Sequence, residues 1–252
     1  AFAVKNGKIV FVGKQSEISK YFGNNTKIIE NKEGIIIPGM TDGHAHVTST
    51  TDLVLGVNLH EVETAEEYLE KIKQFYQNND DINIIFGQGY QNGVFDEIGP
   101  TAAMLDKVSN QIPIIMVSED EHTFWINSKT MSMAGIDEKT PEIDGGIIVR
   151  YPCTRKPTGW LKELAGSLIQ NIMPAYTKDD YKKGILAYQS MALSTGVTNV
   201  FEPMLDKRKD YDLRYEAYAE LAREGKLKIT FTEAYTLEPN DDYEEVFKKA
   251  KI

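Results

Sequence analysis

Residues 38–47 read PGMTDGHAHV, and the fold and the chemistry both turn on how this stretch is placed. A Pro-Gly turn leads into a short run ending in His44 and His46, with Asp42 two positions earlier. On a strand, side chains at i and i+2 share one face, so the two imidazoles point the same way and are spaced to grip one cation. Zinc, iron and manganese accept imidazole nitrogen, and zinc is the commonest choice. Asp42 falls on the same face, where it could orient one histidine from behind. An isolated His-x-His is short and arises by chance. Its context argues for a site: the apolar run GIIIP (34–38) precedes it and a polar loop follows, as at the C-terminal end of a parallel strand.

Outward from that motif, the N-terminal side reads as a small β-rich module. AFAVK and KIVFVG flank Asn6-Gly7, a strong hairpin signal. SEISKYF (16–22) predicts a short helix with Ser16 as N-cap and Gly23 beyond its end, and TKIIE and GIIIP predict two more strands. On the C-terminal side, Thr64 and Glu67 form a capping box for a helix whose residues Tyr68, Leu69, Ile72, Phe75 and Tyr76 recur on one face. INIIFG and PIIMVS predict buried strands, with a short helix from Thr101 between them. NSKTMSMAG predicts a helix closed by Gly135, GGIIVR a strand, and WLKELAGSLIQNIMP a helix stopped before Pro174. From Thr177 onward the rhythm is helix, strand, helix, strand, helix: a long helix from Thr177 to Gly196, GVTNVFEP, a helix ending at Gly225, KITFTEAYT, and a last helix beginning near Asp242. That is the rhythm of a parallel α/β unit.

The totals bound the alternatives. The 252 residues carry a net charge of −10, which disfavours nucleic-acid and anionic-membrane partners because phosphate binding needs a basic face. The single cysteine, Cys153, allows no internal disulfide and fits a reducing compartment, so a cytoplasmic location is expected. No apolar run approaches membrane-span length. GQGYQNG lacks dinucleotide-binding spacing, and no Gly-x-Ser-x-Gly elbow occurs. The chain opens without a methionine and closes on a helical pattern with no stop signal, so an N-terminal piece of a longer protein is expected.

A strand, Pro-Gly-Met and then TDGHAH resemble the first metal-binding strand of the amidohydrolase superfamily. IIFGQGY, EDEHTFWINSKTMSMAGI, GGIIVR, PTGWLKELA and STGVTNVFEP follow in the order of the branch that includes N-substituted formamide deformylase. The resemblance implies an α/β fold: a partial TIM-like metal-dependent-hydrolase barrel with an N-terminal β-sandwich piece and an inserted α/β domain. GVTNV, the second barrel strand by this resemblance, begins about 150 residues after the histidines, where a plain βα unit needs about 30. The implied organisation is 1–38 partial β-sandwich, 39–60 first barrel strand, 61–175 insert and 176–252 barrel units two and three. The unfinished barrel leaves an open strand edge, so a homo-oligomer or poor order in 176–252 is expected.

The resemblance also implies the activity: hydrolysis of a C–N bond in a small amide, formamide or cyclic imide by metal-activated water, with His44 and His46 as metal ligands. A deaminase on the same scaffold and a non-catalytic binding or regulatory relative remain open. The family's other ligands come from later strands and are expected beyond Ile252. The fragment alone is therefore expected to bind metal weakly and not to catalyse, since zinc wants three or four protein ligands. His122 matches a family Asp-Gly-His, with Glu121 in place of the glycine. It is either a group that approaches the active site or a buried structural histidine. Glu163, in PTGWLKE, matches an acidic position of the branch. It either reaches the metal or the substrate or is a surface glutamate in a first helical turn. Glu202, where the resemblance suggests an aspartate, reads either as a group supporting the metal ligands from behind or, the favoured reading, as simply hydrogen-bonded. His60 reads as an exposed loop residue, Trp125 and Trp160 as core rather than as walls of a substrate pocket, and Cys153 as inert.

Overall fold

The computed structural model describes residues 1–31, 33–79, 81–205, 210–235 and 242–249. They form two compact units, Ala1–Pro38 and Gly39–Ile252. The class is mixed α/β, as the sequence implies.

In the first unit, β1 (Phe2–Lys5) and β2 (Lys8–Val12) pair antiparallel. Asn6 and Gly7 both take positive φ, 52° and 72°, the backbone that a two-residue hairpin turn demands. The helix expected at Ser16 is instead a 3₁₀ turn, Gln15–Tyr21, with Lys14 at its N-cap. Tyr21 stacks on Phe11 with ring centroids 4.9 Å apart. The two strands expected at TKIIE and GIIIP do not form. Ile28, Ile29, Ile35, Ile36 and Ile37 have strand-forming side chains, but all are exposed and their backbone joins no ladder. β propensity acts only where a neighbour completes the hydrogen bonds.

The second unit begins with β3 (Met40–Asp42). A Cβ on Gly39 would collide with the Thr198 side chain, so the glycine of Pro-Gly-Met is fixed by close packing onto the neighbouring strand. A helix α1 (Thr50–Leu55) and a two-residue strand β4 (Val57–Asn58), neither of them legible beforehand, lead into α2 (Ala65–Gln77). The Thr64–Glu67 capping box closes in both directions: Glu67 N–H donates to Thr64 Oγ1, and Thr64 N–H to Glu67 Oε2. Then follow β5 (Ile85–Tyr90), α3 (Ala102–Leu105), β6 (Ile114–Ser118), β7 (Thr123–Ile126), α4 (Ser128–Ala134), β8 (Gly146–Arg150) and β9 (Pro157–Glu163).

These strands build a six-stranded sheet of order β4-β5-β6-β7-β9-β8, parallel from β4 to β6 and antiparallel from there on. Both faces are buried. Ile85, Ile114, Met116 and Trp125 pack to one side, and Phe86, Ile115, Val117 and Ile126 to the other. Such doubly covered strands read as unbroken apolar runs. The helix expected from Trp160 is a correction: PTGWLKE is strand β9, and only Leu164–Ile169 turns as 3₁₀. Gly159 takes φ +99°, and β9 is held between β7 and β8, so sheet pairing overrides the helix-forming composition.

The chain then returns to β3. α5 (Lys178–Ser194), β10 (Val197–Leu205), α6 (Tyr211–Arg223) and β11 (Thr230–Tyr235) give a three-stranded parallel sheet of order β11-β10-β3, followed by α7 (Tyr243–Lys249). Its core lies on the helix face, where Val200, Ile185, Tyr188, Ala217, Tyr218 and Leu221 pack together.

Candidate metal centre

The register Asp42↔Val200 aligns β3 with β10. β3 ends at Asp42, so the histidines lie just beyond the strand rather than within it, as the sequence alone suggested. The chain nonetheless stays beside β10, since Ala45 N–H donates to the Phe201 carbonyl at 3.0 Å. It then closes into a 3₁₀ turn, Val47–Ser49. Both imidazoles are exposed, and their ring centroids lie 5.3 Å apart with planes at 81°. Two imidazoles bound to one zinc at the tetrahedral angle would have centroids about 5 Å apart, given Zn–N near 2.1 Å. The observed separation is close to that value. Among the described residues no group of three or more His, Cys, Asp or Glu side chains is placed to hold a metal.

Asp42 occupies a different post from the one its spacing suggested. Its Oδ1 accepts the main-chain N–H of His44 (3.1 Å), and its Oδ2 accepts the Tyr188 hydroxyl (2.9 Å) from α5. At the other end of the turn, Thr48 is buried and donates from both N–H (3.3 Å) and Oγ1 (3.0 Å) to Glu202 Oε1 on β10. Tyr218 Oη, on α6, donates to Glu202 Oε2 (2.6 Å). Arg214 Nη1, on the same helix, donates to Thr48 Oγ1 (3.1 Å). The guanidinium also pairs with Asp210 and lies 5.0 Å from the centroid of the Tyr181 ring. Glu202 is thus hydrogen-bonded, as its sequence position suggested, and only 1% exposed.

Glu202 stands opposite Glu233 in the β10–β11 ladder. Burial pushes both carboxyls up: Glu233 to about 8, by burial and then by the neighbouring Glu202 charge. Glu202 is raised by burial against the opposing hydrogen bonds from Tyr218 and Thr48. Those donors favour the ionised form of Glu202 and offset part of the burial effect, whereas the Glu233 shift has no such opposing hydrogen bond among its causes.

His122 and Glu163 meet each other. His122 Nδ1 lies 3.0 Å from Glu163 Oε2, and Glu163 N–H donates to the His122 carbonyl at 2.8 Å. Their side chains are 63% and 55% exposed, so His122 is not a buried structural histidine, nor is Glu163 in a helical turn. Glu121 adopts φ +62°, the left-handed conformation that a glycine would supply, so the turn forms despite the substitution. Glu163 is also left-handed in φ, at 52°. The Glu163 hydrogen bond, and then its charge, raise the His122 pKa. His60 is exposed, Trp125 and Trp160 are buried, and Cys153 is exposed. The chain has no helix among the described residues long and apolar enough to cross a membrane.

Sequence reasoning missed Thr48, Tyr188, Arg214 and Tyr218. The three helix residues read simply as parts of amphipathic patterns, and no local signal marks their partners.

Comparison with known proteins places these observations. The sequence matches the Amidohydrolase family over residues 27–251. It is 28% identical to Protein LONG AFTER FAR-RED 3 of Arabidopsis thaliana over 80% of this chain and 34% of that protein. It is 25% identical to N-substituted formamide deformylase of Arthrobacter pascens over 93% of this chain and 44% of the enzyme. The chain therefore spans less than half the length of either relative. The crystal structure of an uncharacterized metal-dependent hydrolase from Pyrococcus horikoshii OT3 has a similar fold, with a TM-score of 0.64 at 22% identity, covering 98% of this chain and 45% of that one.

Proposed function

The chain belongs to the amidohydrolase family, and from that premise we propose that it supplies the metal-anchoring part of a hydrolase that cleaves a C–N bond in a small amide, formamide or cyclic imide. The observation that supports this reading best is the His44–His46 pair, 5.3 Å apart just beyond a parallel strand, with its main chain hydrogen-bonded to Asp42 on one side and to the buried Glu202 on the other. In this reading β3, β10 and β11 are the first three strands of a barrel, and residues 61–175 are an insertion between the first two.

His44 and His46 hold the metal, for which zinc is the expected ion given imidazole donors. A divalent metal bound there supplies an acidified water that is nucleophilic near neutral pH. The chain's own residues then do three things. Asp42 and Glu202 fix the main chain that carries the imidazoles. The open sides of the histidines face solvent, where a substrate can approach. His122, its pKa raised by Glu163, presents a donor that can hold a substrate oxygen, and the pair forms part of the cover over the substrate.

The test is hydrolysis by the intact protein of a panel of N-substituted amides, formamides and cyclic imides, before and after chelation. Release of amine that is lost on chelation and restored by zinc supports the proposal. Release of ammonia from ring amidines instead identifies a deaminase. No turnover of either class by the metal-loaded protein overturns the enzyme reading.

A further inference from the structure

We propose that Glu202 is a positioning residue for the His44–His46 pair, acting through Thr48; this rests on the reading that the two histidines hold the metal. The turn from Asp42 to Thr48 is clamped at both ends by carboxylates reaching from fixed elements. Asp42 holds the His44 N–H and is itself held by Tyr188 of α5. Glu202 holds Thr48 by two bonds and is itself held by Tyr218 of α6. Arg214 adds a third contact to Thr48 from the helix side. Between the clamps the two histidines are exposed.

A carboxylate is costly at this place. Glu202 is only 1% exposed, and Val200, two residues before it on β10, belongs to the apolar core, so a leucine would bury more cheaply than a carboxylate. What a leucine cannot do is accept from the buried Thr48 N–H and hydroxyl. Fixing the turn before metal arrives spares the site the ordering entropy that a mobile His-x-His would lose on binding. Groups that orient ligands in this way usually change metal affinity about 10- to 100-fold when altered. A merely structural core residue changes the melting temperature and leaves the affinity of the folded protein alone.

The experiment measures zinc affinity of the intact protein by competition with a chelating dye, with the thermal midpoint followed in parallel. Glu202→Leu keeps a buried side chain but removes both acceptors, and Thr48→Val loses the hydroxyl but keeps the N–H. Thr48→Ser is the conservative control, and His44→Ala reports on the underlying reading. The expected result is zinc binding weakened about 10-fold in Glu202→Leu and Thr48→Val, affinity close to wild type in Thr48→Ser, and binding lost in His44→Ala. Should Glu202→Leu fail to fold, the Thr48→Val and Thr48→Ser pair decides alone. Wild-type zinc affinity in folded Thr48→Val, with binding lost in His44→Ala, overturns the positioning role and leaves the metal reading intact. Wild-type affinity in His44→Ala overturns that reading, and the positioning role with it.

Discussion

Two histidine constellations in this chain are built in opposite ways. The imidazoles of His44 and His46 are exposed, but the main chain beneath them is tied by the half-buried Asp42 and the buried Glu202, by tyrosines and by an arginine. The His122–Glu163 pair is a direct side-chain contact, exposed on both partners, and both Glu121, the residue before His122, and Glu163 itself are left-handed in φ. The first arrangement puts its energy into holding geometry in a low-dielectric setting. The second is screened by water, so its attraction is weak, and it sits on strained backbone. Rigid support suits a metal ligand. A weakly held pair at a turn suits a group that meets substrate.

The largest effect expected from breaking this contrast is on stability at the buried side. Glu202→Ala leaves the Thr48 N–H, the Thr48 hydroxyl and the Tyr218 hydroxyl without their acceptor and opens a cavity. The expected loss is about 3–5 kcal/mol by denaturant unfolding. Alanine at His122 should leave the same measurement unchanged, because an exposed pair contributes little. A stability loss at His122 comparable with that at Glu202 would erase the contrast.

The pH dependence of stability comes next. Glu233 in the folded protein titrates near 8, against an ordinary 4.5. Between those values the folded state holds a proton that the unfolded chain has released, so stability is fully present below about pH 4.5 and falls as pH rises through about 8. The contribution is on the order of a few kcal/mol. Glu233→Gln should flatten thermal midpoints over that window, and an unchanged slope in that variant would assign the dependence elsewhere.

The smallest effect concerns the exposed turn. Glu121→Gly supplies the residue that φ +62° favours and should raise stability by about 1 kcal/mol. A loss would mean that the turn is not strained in solution.

Much of this was legible in the sequence because the signals are local. Asn6-Gly7, the Thr64–Glu67 box, the Thr177 cap and the helix-strand rhythm after it each depend on a few neighbouring residues, and each appears where expected. The misreadings share a cause. WLKELAGSLIQ has helix-forming composition, but β7 and β8 on either side recruit its first half into a sheet. Ile28, Ile29 and Ile35–Ile37 have strand composition and no ladder. The histidine pair could be found from spacing alone. Its support could not, since Tyr188, Glu202 and Arg214 reach the turn across 146 to 166 residues of sequence. Nothing in an amphipathic helix pattern distinguishes a tyrosine that fills a core from one whose hydroxyl holds a buried carboxylate.

The most direct test of the central claim, that the rigidly supported pair holds metal and the exposed pair does not, is elemental analysis of the purified intact protein. Bound divalent metal should be lost in the His44→Ala, His46→Ala double variant and retained in His122→Ala. Metal retained in the folded double variant, or lost in His122→Ala alone, would contradict it.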